Sequence, residues 1–285
     1  MLSLVEAVDD WRIHLEAEGK SPKTVQIYTE AALKLPRVNC SGRDVKKVLA
    51  DLSKRVSPAY VSQHYRAWQQ WFRWLRQEQL IDHNPLEGVR PPKVPDKPVP
   101  VITDQQLRAL LLTCRRPTFE GRRDTAMIRV LVDTGVRASE IVGLRVADVD
   151  LGTRSLLVLG KGRRPRIVPV GAKTAEAISR YLRARRDHQW ADQPALWLTR
   201  YGPMTTSGFA QMLRRRAAEA GIGRVHPHQF RHTAAHRWLA AGGGETDLMR
   251  LMGWSSREMV SRYAASAGHQ RAVQAHQRLR LGDRL

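Results

Sequence analysis

The 285-residue sequence predicts a mainly α-helical chain with a small β component, divided into two domains. Three observations carry this reading. Apolar side chains recur at three- and four-residue intervals through most of the chain, as on the buried face of a helix. Strand-like runs are confined to residues 155–170 and 195–198. Prolines crowd between residues 85 and 100, where neither pattern continues.

Residues 1–88 read as a helical domain. Leu4, Val8, Trp11 and Leu15 mark a first helix. Ser21-Pro22 supplies an N-cap followed by proline at the first helical position, opening a second helix to about Leu35. A short third is expected over Val45–Leu52. Ser57-Pro58 opens the fourth, where Tyr60, His64, Trp68, Trp71 and Leu75 share a stripe. The Trp68, Trp71, Phe72 and Trp74 cluster suits a stacking platform or a core. The core reading is preferred, since a small helical domain needs large apolar side chains; Trp74, off the main stripe, is the member expected at the surface. Asn84-Pro85 ends the unit, and residues 89–100 read as an extended proline-rich linker.

Residues 101–285 form the second predicted domain. Thr103 and Gln106 have capping-box spacing ahead of Leu107, Leu110 and Leu111. Helices are expected over Asp124–Val132 and from near Ser139, then strands Ser155–Leu159 and Arg166–Val170 joined by a Gly- and Arg-rich turn. Further helices are expected at Lys173–Arg186, Thr206–Ala220, Pro227–Ala240, Thr246–Met252 and Ser256–Ala264, with a short strand at Ala195–Leu198. Strands limited to so small a part make this domain α+β.

The formal charge of +21 and pI near 11.0 call for a polyanionic partner. Residues 1–90 hold 14 Lys/Arg against 11 Asp/Glu, and residues 91–285 hold 34 against 16, so the excess belongs to the second domain. At 42% hydrophobic the chain is not a disordered basic tail. Charge alone does not separate DNA from RNA or anionic lipid, but the aromatic–basic strand motifs of the usual RNA modules are lacking. Cys40 and Cys114 show no zinc or disulfide spacing, which favours a reducing compartment. The N-terminus has no apolar core of signal-peptide length, and no run approaches the ~18 residues of a membrane span. A cytoplasmic, DNA-facing protein without a membrane role is the expectation.

Cutting DNA at a phosphodiester requires neutralising charge on the nonbridging oxygens, an in-line nucleophile, and a proton for the leaving oxygen. No carboxylate cluster suited to metal ions stands out. Instead Arg137 lies in Thr134-Gly135-Val136-Arg137-Ala138-Ser139-Glu140, and Lys161 in Gly160-Lys161-Gly162-Arg163-Arg164-Pro165-Arg166. His228 and Arg231 are three apart and share a helical face. Trp254 follows Leu251-Met252-Gly253, and Tyr263 ends Arg257-Glu258-Met259-Val260-Ser261-Arg262-Tyr263. Taken singly, each has a plain alternative: a solvated Arg, a basic hairpin, a packing Trp or Tyr. His226, His228, His232 and His236 are dense enough to raise a metal site, but no Glu or Cys set accompanies them, so neither metal nor cofactor is expected.

In order, context and spacing these segments resemble the tyrosine recombinase (phage integrase) family. The resemblance covers most of the chain. It is strongest over residues 130–170 and 222–265 and only architectural over residues 1–90. It implies a helical core-binding (SAM-like) domain and an α+β catalytic domain that clamp DNA. Tyr263 would be the nucleophile, leaving a 3′-phosphotyrosyl bond and a free 5′-OH. Arg137 and Arg231 would clamp the phosphate, a guanidinium offering paired donors that lysine lacks. Lys161 would protonate the leaving oxygen, and His228 would take the tyrosine proton or donate to phosphate. Trp254 stands where the family usually has His and sometimes Trp; its indole donates a hydrogen bond but exchanges no proton. Glu140 and His232 are expected as supports, and Arg163, Arg164 and Arg166 as DNA contacts.

The same resemblance implies a homotetramer on two double-stranded sites with core-type inverted repeats, passing through a Holliday junction, and a monomer or weak oligomer when free. An accessory bending or directionality protein is a further expectation. Too few residues precede the first helix for an arm-binding domain, which points to a simple integrase of a phage or mobile element, or to Xer-type resolution of chromosome or plasmid dimers. A type IB-like topoisomerase shares the chemistry without strand exchange. A non-enzymatic DNA-binding protein explains the charge but not the ordered set of residues.

Overall fold

The computed structural model describes residues 2–95, 100–160, 162, 164–260, 273, 276 and 277. It divides into two compact units, Met1–Lys97 and Pro98–Leu285.

The first unit is built from α1 (Leu4–Ala17), α2 (Pro22–Ala32), α3 (Gly42–Arg55) and α4 (Pro58–Gln77). Each helix starts at a serine, Ser3, Ser21, Ser41 or Ser57, whose side-chain oxygen accepts a backbone N–H of the first turn. Such a cap contributes about 1 kcal/mol, and in α1 and α3 an acidic residue completes the box. Trp11, Trp68, Trp71, Phe72 and Leu75 are fully buried. The Trp68 indole donates to Ala31 O at 2.7 Å, fixing α4 against α2.

Trp74 departs from its expected exposure. It is 5% exposed, with its ring centroid 5.4 Å from that of Trp71 and 6.4 Å from that of Trp11. Helix α1 crosses that side of α4, so the buried face is wider than the stripe the spacing showed. Tyr60, counted on the stripe, is 39% exposed because it falls in the first turn, at the edge of the packing. The chain leaves the unit anchored by Tyr65, whose hydroxyl donates to Val89 O at 2.7 Å.

The second unit contains α5 (Asp104–Leu112), α6 (Phe119–Thr134), α7 (Ala138–Val142), β1 (Val149–Asp150), β2 (Ser155–Leu159) and β3 (Pro165–Pro169). It continues with α8 (Ala172–Arg185), β4 (Leu198–Thr199), β5 (Gly202–Pro203), α9 (Thr206–Glu219), α10 (Pro227–Ala240) and α11 (Glu245–Met252). Helix α6 begins at Phe119, ahead of the expected Asp124, because Thr118 caps it by accepting from Gly121 N. Strands β1, β2 and β3 form an antiparallel sheet in that order, with Leu156 opposite Val168 and Val158 opposite Arg166. Leu156, Val158 and Val168 are buried beneath it, and Leu157 and Ile167 lie on the open face. The expected strand at Ala195–Leu198 is reduced to a bridge between Ala195 and Arg145, followed by the β4–β5 hairpin.

Buried charge holds the core of this unit in register. Asp124 is fully buried and accepts from Arg123 at 2.7 Å and from Arg216 at 2.8 Å, joining α6 to α9. Arg123 also donates to Leu198 O. Ala234, Leu239, Leu248, Met252, Trp254 and Val260 make a smaller cluster where α10 meets α11. No helix among the described residues is long and apolar enough to cross a membrane.

Candidate active site

Arg137 is the N-cap of α7, one short turn beyond the end of α6. Gly135 makes that turn. It ends α6 with φ 61°, and a Cβ there would lie 2.8 Å from Met252 Cε and 2.9 Å from Ala234 Cβ. Only glycine meets both demands, and the path to Arg137 depends on it.

Glu140, three residues on, is buried, with 2% of its side chain exposed. Its carboxylate accepts from Arg137 N at 2.8 Å and from an Arg137 terminal nitrogen at 2.8 Å. Both terminal nitrogens of Arg166 donate to it as well, at 3.0 and 2.8 Å. Burial alone would raise this carboxyl, but the bonds from Arg166 and Arg137 outweigh it and hold the pKa down at about 2. The Arg137 side chain remains 36% exposed, and among the described residues its Nε and second terminal nitrogen have no hydrogen-bond partner.

Arg231 is held differently. It is 2% exposed on α10 and donates to Gly135 O at 3.0 Å and to Met252 O at 2.6 Å. Its guanidinium carbon lies 5.2 Å from the centre of the Trp254 ring, a cation–π distance. Trp254 is itself buried. This packing is compatible with either use expected of the indole.

His228 lies at the second position of α10, one turn before Arg231. Partial burial and the positive charges of Arg231 and Arg137 lower its pKa below the usual 6.5. The two guanidiniums and the imidazole therefore share one electrostatic neighbourhood. His232 meets His228 edge to face at 4.6 Å. Burial, then His228 and Arg231, push its pKa down to about 4. Neutral imidazoles at pH 7 suit proton acceptance rather than a third fixed positive charge. Among the described residues no group of three or more His, Cys, Asp and Glu side chains is placed to hold a metal ion.

Arg166, expected to touch DNA, is directed inward instead. Its Nε donates to Leu251 O at 2.9 Å, both terminal nitrogens go to Glu140, and 13% of its side chain is exposed. The strand explains this: Arg166 and Val168 are two apart and so face the same side, and Val168 is core. That alternation was present in the sequence, where the density of arginines in the turn obscured it. Arg164 is exposed. Lys161, Arg163 and Tyr263 lie outside the described residues.

A cavity of about 610 Å³ elsewhere on this unit is lined by Arg108, Arg115, Arg116, Arg122, Arg129 and Arg180 among others; none of the described candidate site residues borders it. The geometry of the site thus consists of exposed donors on Arg137, a buried Arg231, and a neutral His228. Glu140 holds Arg137, and the carbonyls of Gly135 and Met252 hold Arg231.

The sequence pattern of the phage integrase family matches residues 100–269. Over 282 residues the chain is 30% identical to the tyrosine recombinase XerC of Myxococcus xanthus, covering 92% of this chain and 94% of the relative. Among solved structures, the Tn1549 transposon integrase in complex with transposon right end DNA superposes with a TM-score of 0.76 at 20% identity, over 97% of this chain and 99% of that one. A lambda integrase tetramer bound to a Holliday junction matches with a TM-score of 0.73 at 16% identity, over 92% and 77%. At these identities the structures speak for the fold.

Proposed function

Since the chain belongs to the phage integrase family, whose members are tyrosine recombinases, we propose that it exchanges DNA strands between two core sites through a covalent tyrosine intermediate. The observation that supports this reading is the bond from Arg231 to Gly135 O, which joins α10 to the turn before Arg137, with His228 one helical turn from Arg231 and Glu140 bonded to Arg137.

In this reading Tyr263 Oη attacks the scissile phosphorus in line with the 5′-oxygen. The Oη–P bond forms, the P–O5′ bond breaks, and the phosphate keeps its charge. Neutral His228 accepts the phenolic proton, and Lys161 supplies one to the departing 5′-oxygen. Arg137 and Arg231 neutralise the nonbridging oxygens, aided by the positive N-terminus of α10. Trp254 packs on Arg231 and offers an indole N–H rather than a proton. The bond energy stays in the phosphotyrosyl link, so a 5′-OH from the partner site reseals it without ATP. No step needs a metal ion.

The remaining positive charge, concentrated after residue 90, follows the duplex. Four protomers on two inverted-repeat sites would cut one pair of strands at a time, and the protein would work in the cytoplasm. Sequence reading alone put integration or excision of a mobile element first. The near full-length match to XerC moves the preference to Xer-type resolution of DNA dimers.

The test is a supercoiled plasmid carrying two copies of a site recovered by covalent capture. Exchange of flanking sequence, with Holliday junctions trapped on the way, supports recombination. Relaxation of supercoils without exchange moves the assignment to a type IB-like topoisomerase.

A further inference from the structure

The bonds around Glu140 close into a ring. Arg137 and Arg166 share its carboxylate, Arg166 continues to Leu251 O, Arg231 takes the next carbonyl, Met252 O, and Arg231 returns to Gly135 O beside Arg137. Leu251 and Met252 are the last residues of α11, whose terminal carbonyls lack partners inside the helix and form its negative end. Two guanidiniums from different elements occupy that end. The one from α10 belongs to the phosphate clamp. The one from β3 reaches across from the hairpin.

The slot for Arg166 is built on both sides from glycine. A Cβ on Gly160 would stand 3.2 Å from an Arg166 terminal nitrogen, and a Cβ on Gly253 would stand 3.3 Å from its guanidinium carbon. Gly253 also takes φ 61° to end α11. Neither contact would be constrained if Arg166 were a solvated DNA-tracking side chain.

Resting on the recombinase reading above, we propose that Arg166 is a positioning residue, fastening the hairpin that carries Lys161 to Glu140 and to the end of α11. Residues 160–164 connect β2 to β3, so by sequence Lys161 falls in that connection, five positions before Arg166 on β3. Chemistry distinguishes this from a general structural part. With Arg166 gone, the described part of the hairpin loses its side-chain tie to Glu140, and proton delivery to the leaving oxygen suffers first. Glu140 also falls wholly to Arg137, drawing that guanidinium towards the carboxylate. The guanidinium fork is required: lysine keeps the charge but cannot make the pair to Glu140 and the bond to Leu251 O together.

The experiment measures single-turnover cleavage of a nicked core site carrying either oxygen or sulfur at the scissile 5′-bridging position. Sulfur leaves without needing a proton. Wild type, Lys161→Ala, Arg166→Gln and Arg166→Lys are compared, with DNA affinity and thermal unfolding measured alongside. The expected result is roughly 10²-fold slower cleavage of the oxygen substrate by Arg166→Gln, on the scale of losing one oriented transition-state donor. The sulfur substrate should restore most of that loss, as for Lys161→Ala, with affinity changed by less than about threefold. Arg166→Lys should be impaired in the same sense, and it carries the comparison if the Gln variant unfolds. Equal loss on both substrates, or a fall in affinity that matches the fall in cleavage, overturns the proposal and returns Arg166 to an attack or DNA-contact role. Absence of adduct from the wild-type protein instead removes the recombinase chemistry on which the proposal stands, and no rescue of Lys161→Ala by sulfur overturns the proposal by removing Lys161 as proton donor.

Discussion

Arg231 donates to the backbone carbonyl of Gly135 at 3.0 Å, joining α10 to the turn that carries Arg137. The two arginines of the proposed phosphate clamp lie 94 positions apart in the sequence and meet through this backbone bond. A guanidinium held by carbonyls keeps its charge while losing its freedom to collapse onto a carboxylate. The clamp is thereby organised before DNA arrives, which is where electrostatic catalysis gains most.

Gly135→Ala should strike stability and activity together. The alanine must adopt φ 61° and place a methyl 2.8 Å from Met252 Cε. A cost of roughly 1–3 kcal/mol is expected, read as a lower midpoint in denaturant, with cleavage per folded molecule reduced as well. An unchanged midpoint would mean the turn is not constrained as described.

Glu140 gives a pH signature. Its folded pKa of about 2 lies below the ordinary 4.5, so its ionised form stabilises the fold fully above pH 4.5. That contribution fades as pH falls through about 2. Denaturant unfolding measured from pH 7 to pH 2 should show this loss, and Glu140→Gln should start less stable and lack this part of the slope. Equal slopes in both proteins would separate Glu140 from the arginines in solution.

His228 should govern the acid limb of cleavage. Its pKa is lowered by partial burial, Arg231 and Arg137, so it stays neutral at pH 7 and accepts a proton. Cleavage rates should hold down to about pH 6.5 and fall only below it, while His228→Gln should be slow throughout and flatter. A limb that survives the substitution would assign the acceptor elsewhere.

Asp124→Asn tests the structural charge network apart from the chemistry. It takes the negative charge from the buried group that Arg123 and Arg216 share, a loss of about 3–5 kcal/mol in unfolding free energy. DNA cleavage by the fraction that remains folded should be nearly normal.

Much of this was legible in the sequence because local rules act on local residues. The caps at Ser21, Ser57 and Thr103 announced helix starts, and the Trp68–Trp71 stripe announced a core. The motifs around Arg137 and His228–Arg231 fixed their elements. Trp74 was misjudged because its burial depends on α1, a helix more than 50 residues away, and spacing within α4 contains nothing about it. Arg166 turns inward although the arginine-rich turn suggests a DNA contact. Its local pattern puts it beside Val168 on the inner face, a signal masked by the arginine-rich composition of the turn. Its bonds to Glu140 and Leu251 O, 26 and 85 positions away, have no sequence-local sign.

The most direct test of the central claim is covalent capture. Wild-type and Tyr263→Phe proteins are mixed with fragmented, nicked genomic DNA in excess EDTA and denatured, and the DNA that stays attached to protein is sequenced. The account predicts a short inverted-repeat site enriched by wild type and absent from Tyr263→Phe, although both bind DNA. Adduct formed equally by Tyr263→Phe, or cleavage abolished by EDTA, would contradict a metal-free attack by Tyr263.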